Sequence, residues 1–194
     1  MEKTTMPEQQ TLTRPQNDVV IGDPNPDFIG GLGNRFNYKN FDLNVLFQFV
    51  NGNDIYNGGG RYQSANGDFF DNQTRDQLQR WQNPGDITDV PEARLFGANG
   101  SNPSSRYIHD ASYLRLKNVV LGYTLPRSAL ERLNLQRVRL YVTGVNLLTF
   151  TDYPGWDPEV NTDLYNQSDN LNIGNEFYSV PQARTISFGI NIGI

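Results

Sequence analysis

From Ile186 to Ile194 the chain alternates without interruption. Ile186, Phe188, Ile190, Ile192 and Ile194 take every second position, and Ser187, Gly189, Asn191 and Gly193 stand between them. A period of two predicts a β-strand with one apolar and one polar face. Chain termini usually fray, so five large apolar residues in register at the very end are unusual for a soluble sheet. The closing strand of an outer-membrane β-barrel carries this pattern because one of its faces meets lipid.

The same signature recurs upstream. Phe41, Leu43, Val45, Phe47 and Phe49 share one face, with Asp42, Asn44 and Gln48 on the other. A glycine-rich strand precedes it over 29–38, joined by a tight turn at Lys39-Asn40. Over 112–125 the alternation changes phase: Leu114 and Leu116 have one parity, Val119, Leu121, Tyr123 and Leu125 the other, which predicts a bulge near Asn118. A strand over 136–147 places Val138, Leu140 and Val142 opposite Arg137, Arg139, Tyr141 and Thr143, and the last strand covers 184–194.

Residues 1–28, punctuated by Pro7, Pro15, Pro24 and Pro26, read as an N-terminal loop segment, and 29–194 as the strand-bearing part. Between strands, the Gly/Asn/Asp-rich run 51–110 reads as loop with one helix over Asp71–Trp81. Arg127–Leu133 reads as a turn of helix, and 149–181 as a second long loop. The connections thus alternate: a tight turn, about sixty residues, about nine, about thirty, the rhythm of short periplasmic turns and long external loops in outer-membrane barrels. The expected fold is all-β, with about five antiparallel strands at the C-terminal end of a large transmembrane barrel, the last one descending to leave Ile194 on the periplasmic side.

Composition does not disturb this reading. Mean hydropathy is −0.59, and no run approaches the roughly 20 apolar residues of a membrane helix. Barrel strands escape hydropathy averages because half their residues face the lumen. The 10 Tyr and 11 Phe suit interfacial girdles. A net charge of −5 without a basic run argues against nucleic acid as a partner, and the absence of Cys excludes disulfides and thiolate metal sites. Met1 to Met6 lead into a Pro/Gln/Thr-rich stretch without the apolar core of a signal peptide, so the chain is expected to be unexported or part of a longer protein.

The stretch Ala111–Pro126, ASYLRLKNVVLGYTLP, resembles a segment of SusC/RagA-type TonB-linked outer-membrane proteins. Val138–Phe150, Asp157-Pro158-Glu159-Val160, Pro181 and Arg184–Ile194 follow in the order of that family. Ile21–Phe28 and Asn51–Asn57 look like two upstream landmarks. The resemblance implies a barrel of about 22 strands around a plug, importing oligosaccharide or peptide cargo with energy from TonB beneath a SusD-like surface lipoprotein. Signal peptide, TonB box, plug and most strands have no counterpart here, and barrels begin at eight strands, so the chain is expected to be a fragment. In the family the last strand also resembles the signal read by the assembly machinery, which prefers a terminal aromatic; Ile194 departs from that, while Phe188 supplies an internal one.

Candidate chemistry is sparse, and no catalytic residue, cofactor or metal is expected. His109 is the single histidine and reads as a loop residue. Asp157, Glu159 and Asp163 are the residue types of a glycosidase pair or a calcium loop, but the sixth-position glycine is missing, so they read as solvated turn formers. Gly58-Gly59-Gly60 lacks the Lys-Ser/Thr of a phosphate loop and reads as flexible. Tyr62, Phe69, Phe70, Trp81 and Trp156 lie in the two long loops, where aromatic faces stack on sugars or pack against loops or a lipoprotein. The rivals to a transport component are a secreted β-sandwich carbohydrate-binding module and a glycoside hydrolase.

Overall fold

The computed structural model describes residues 20–68, 72–97, 102–131, 135–161 and 173–194. Its strands in chain order are β1 (Phe28–Tyr38), β2 (Phe41–Asn51), β3 (Asp54–Asn57), β4 (Ile108–Asp110), β5 (Tyr113–Thr124), β6 (Arg137–Thr151), β7 (Asn175–Glu176) and β8 (Thr185–Gly193). The five long ones make one antiparallel sheet in the order β1-β2-β5-β6-β8, each next to its predecessor among the long strands.

Pairing turns the alternation of single strands into two continuous faces. Phe36, Leu43, Leu121, Val142 and Phe188 lie in one row across the sheet; Leu32, Phe47, Leu116 and Leu148 lie in another. That face is open: Phe188 is 84% exposed, and Phe36, Phe150, Ile186, Ile190 and Ile192 are exposed as well. The register shifts at Lys117, between Leu46 and Phe47 of β2 on one side and opposite Asn146 and Leu147 of β6 on the other. This bulge restores Val119, Leu121 and Tyr123 to the apolar side, and Asn146 takes a left-handed conformation, φ 53°.

The β1–β2 turn at Lys39-Asn40 and the β5–β6 connection lie at one end of the sheet, because Phe41 pairs with both Tyr38 and Tyr123. Both long connections leave from the other end. There β6 runs to Thr151, four residues past its expected end, since Leu148 and Phe150 continue the apolar row opposite Leu116 and Leu114.

The run expected as one loop over 51–110 contains structure. β3 pairs antiparallel with β4 and parallel with β7, forming a small sheet that ties the two long connections together. Ile55, Ala111 and Tyr153 form a buried apolar cluster there. The helix expected over Asp71–Trp81 is instead a short 3-10 turn, Arg75–Gln79, flanked by extended residues Thr74 and Arg80; Asp71 lies outside the described residues. A helix does form at α1 (Gly58–Gln63), where the Asn57 side chain accepts the Gly60 N–H at 2.6 Å. Thus the glycines expected as flexible are packed: Gly58 and Gly59 are buried, and a Cβ on Gly58 would crowd Asn175 Oδ1 and the Glu176 carbonyl at 3.2 Å. α2 (Arg127–Leu130) supplies the expected turn before β6; residues 132–134 lie outside the described residues.

Candidate functional site on the inner face of the sheet

The second face of the sheet carries the charge. Near the short turns, Asp42 of β2 and Arg139 of β6 reach each other across β5, with Nε–Oδ1 2.9 Å and Nη2–Oδ2 2.5 Å. The bidentate pair passes over Gly122, where a Cβ would overlap both side chains. Arg35 and Arg137 border the same recess.

At the other end sits a buried ionic cluster. Arg115, 1% exposed, points from the inner face of β5 and binds two carboxylates of the β6–β8 connection. Its Nη2 donates to Asp157 Oδ1, and its Nη1 lies 2.8 Å from Glu159 Oε2. Lys117 Nζ donates to both Glu159 oxygens at 2.6 and 2.7 Å. Asp157, 5% exposed, also accepts the backbone N–H of Glu159 and of Gln182, each at 2.9 Å. Beneath the cluster the guanidinium lies 5.3 Å from the centre of the Tyr113 ring, whose hydroxyl accepts from Gln48 at 3.0 Å. Burial pushes the Asp157 carboxyl up, but the Arg115 guanidinium and the two N–H donors outweigh it and hold it below the usual carboxylate range.

Asp157 and Glu159 are therefore not the solvated turn formers their Pro/Gly setting predicts. Cations from a strand 42 residues earlier draw them against the sheet. Both are neutralised by direct contact, which suits neither the raised acid of a glycosidase nor calcium coordination. Asp163 lies outside the described residues, and among those residues no group of three acidic, His or Cys side chains comes together as a metal set. Arg115 and Lys117 belong to the Ala111–Pro126 stretch, and their signal in the sequence is two cations two residues apart between Leu114, Leu116 and Val119.

His109 is also placed differently from expectation. It lies on β4 opposite Ile55, with its ring 6.2 Å from that of Tyr153, and burial pushes its imidazole down, so it is neutral at neutral pH. Tyr62 packs edge-on against Phe177 at 5.7 Å, and Trp81 bonds through its backbone N–H to Val90. Phe69 and Phe70 lie outside the described residues. Trp156 is 62% exposed next to buried Asp157.

No protein-family model matches the chain. Among curated proteins it is 46% identical over 175 residues to TonB-dependent receptor P3 of Formosa agariphila, covering 89% of this chain and 17% of that protein. It is 27% identical over 150 residues to TonB-dependent receptor SusC of Bacteroides thetaiotaomicron, covering 75% of this chain and 14% of that one. Among solved structures, the RagAB peptide importer in its open-open state matches with a TM-score of 0.71 at 27% identity, over 88% of this chain and 17% of that chain. The chain belongs to the SusC/RagA type of TonB-dependent proteins. In SusC/RagA-type terms, the sheet described above is barrel wall, and the relatives are receptors and transporters, not enzymes. The segment spans less than a fifth of the length of the relatives it matches, 17% of TonB-dependent receptor P3.

Proposed function

We propose that this segment forms five strands of the wall of a TonB-dependent outer-membrane transporter that imports oligosaccharide or peptide nutrients together with a SusD-like surface lipoprotein. Its apolar face meets lipid and its polar face looks into the lumen. The observation that carries this reading is the single apolar face that runs across all five strands, interrupted at Asn34 of β1 and at Gly30 and Gly144, with Phe36, Phe150, Phe188 and Ile190 exposed where a soluble core would bury them. Both long connections leave from one end, which supports an external position for them and a periplasmic one for the Lys39-Asn40 turn and Ile194. The likeness to a structure named as a peptide importer supports transport. TonB energises the cycle through a part of the protein outside this segment.

Cysteine scanning tests the reading directly, because this segment has no native Cys and any cysteine elsewhere in the receptor can be replaced first. Single cysteines at 186 to 192 in the full-length receptor, in intact outer membranes, should alternate in reactivity toward a charged maleimide. Positions 187, 189 and 191 should label through the lumen, and 186, 188, 190 and 192 should stay silent. Uniform labelling would contradict a lipid-facing row.

A further inference from the structure

The ionic cluster bends the β6–β8 connection back toward the membrane. Thr151, the last residue of β6, pairs with Tyr113; Arg115 and Lys117 lie two and four residues farther along β5. At about 3.3 Å per residue, Arg115 and Lys117 stand about 7 to 13 Å below the top of the strands, and their side chains draw Asp157 and Glu159 against the sheet. On the transporter reading, on which this inference rests, that places the loop inside the lumen.

Trp156 is exposed on this inturned segment, where two polar hollows meet it. One, of about 350 Å³, is bordered by Asn146, Thr149, Thr151, Gln182 and Arg184. The other, of about 220 Å³, is bordered by Asn57, Gln63, Ser64, Thr74 and Glu176. Trp156 borders both. Each hollow also holds a non-glycine residue in the left-handed region, Asn146 and Tyr178, both at φ 53°. The Asn146 Oδ1 is buried there without a hydrogen-bond partner.

We infer that Trp156 is a stacking platform for an oligosaccharide crossing the lumen, with one sugar unit over the indole and its neighbours in the two hollows, and that Arg115 is the positioning residue that holds the platform there. An indole face suits the C–H face of a sugar ring, and the hydroxyl and amide groups around it suit sugar hydroxyls. The charges of the cluster are consumed among themselves, and around the indole the amide and hydroxyl side chains outnumber the charged Arg184 and Glu176, which favours a hydroxyl-rich ligand over a peptide.

The test measures binding to the full-length receptor in complex with its lipoprotein, by calorimetry, with one panel of neutral oligosaccharides and one of peptides of similar mass. Trp156→Ala should weaken the bound oligosaccharide about ten-fold, the order expected for one lost aromatic contact, and Trp156→Phe should retain most of the affinity. Arg115→Met should weaken it to the same degree while the indole remains. Because Trp156 is exposed, its variants test the site even where Arg115→Met fails to fold. The inference is overturned by oligosaccharide binding indifferent to Trp156→Ala, by peptides alone showing the dependence, or by no oligosaccharide of the panel binding the wild type. A receptor that passes the cysteine test and fails this one remains a transporter without this platform.

Discussion

Replacing Arg115 by Met isolates the energetics of the cluster. The change removes a guanidinium that is 1% exposed and leaves Asp157 facing the space it occupied. Removing one member of a buried ion pair costs about 3 to 5 kcal/mol, because the partner charge stays behind unpaired. Here Asp157 keeps two backbone N–H donors and Glu159 keeps Lys117, which lowers the expected loss to about 2 to 4 kcal/mol. The loss falls on the local anchoring of the β6–β8 connection, since the barrel ladder is untouched. Hydrogen exchange of the amides of Glu159 and Gln182 in the full-length receptor reads it, and a loss of this size speeds their exchange roughly 30- to 1000-fold.

The pH dependence fixes the sign. The folded pKa of Asp157 lies below its unfolded value, so its contribution is fully present above the unfolded value and is lost as pH falls through the depressed one. In the variant, burial acts without the guanidinium and raises that pKa, so acid neutralises the stranded charge early. The gap in protection between wild type and variant should therefore be widest near neutral pH and close in acid. Equal exchange in both proteins, or a gap that widens on acidification, would refute the claim that the Arg115–Asp157 contact anchors the loop.

Phe188→Arg puts a cation on the lipid face, at a cost of about 2 to 4 kcal/mol near the bilayer midplane, whereas Ser187→Arg, one residue away on the inner face, should assemble normally; urea midpoints in lipid vesicles compare them. Gly122→Val forces its side chain into the Asp42–Arg139 pair and should cost about 1 to 3 kcal/mol by overpacking; a wild-type urea midpoint would show that the pair moves aside freely. Burial raises the Glu176 carboxyl, opposed by the Ser179 N–H it accepts, so wild type loses stability as pH climbs above the unfolded value. Glu176→Gln keeps an acceptor oxygen without the charge and should protect the Ser179 amide by up to about 1 kcal/mol at neutral pH, with no gain in acid.

What the sequence disclosed follows from where its signals are local. Side-chain alternation is written in neighbouring residues, so Phe41–Phe49 and Ile186–Ile194 announce both their strands and the face they share. The phase change between Leu116 and Val119 places the bulge within a residue of Lys117. The small sheet left no such trace: β3, β4 and β7 have 4, 3 and 2 residues, too few for a period to emerge, and β3 meets β7 only through the fold. The ionic cluster was hidden for a related reason. Asp157 and Glu159 flank a proline in a loop, a setting in which carboxylates are ordinarily hydrated, and only the pairing of β5 with β6 brings Arg115 and Lys117 beneath them. The 3-10 turn at Arg75–Gln79 has the sequence look of a longer helix because Leu78 and Trp81 stand three apart; extended Arg80 separates them.

The sheet has two exposures to resolve, and they call for different remedies. β1 and β8 are its outer strands, and the far side of each offers unpaired N–H and C=O groups, which further strands can satisfy. The apolar face is a separate matter. Adding strands side by side extends it without covering a single one of its residues. A β-sandwich would cover it with a second sheet about 10 Å away, yet among the described residues the second sheet is three short strands within the long connections, while the face spans strands of 9 to 15 residues. Phe188, Phe36 and Ile190 stay exposed. Closure into a barrel answers the edges, and a bilayer answers the face; the barrel in a membrane meets both demands with the strands as they stand, whereas a sandwich leaves its strand edges open and requires a covering layer that the described residues do not supply. The polar inner face agrees, since the Asp42–Arg139 pair and the Arg115 cluster would each carry a heavy desolvation cost against acyl chains, and both belong on the side that holds water.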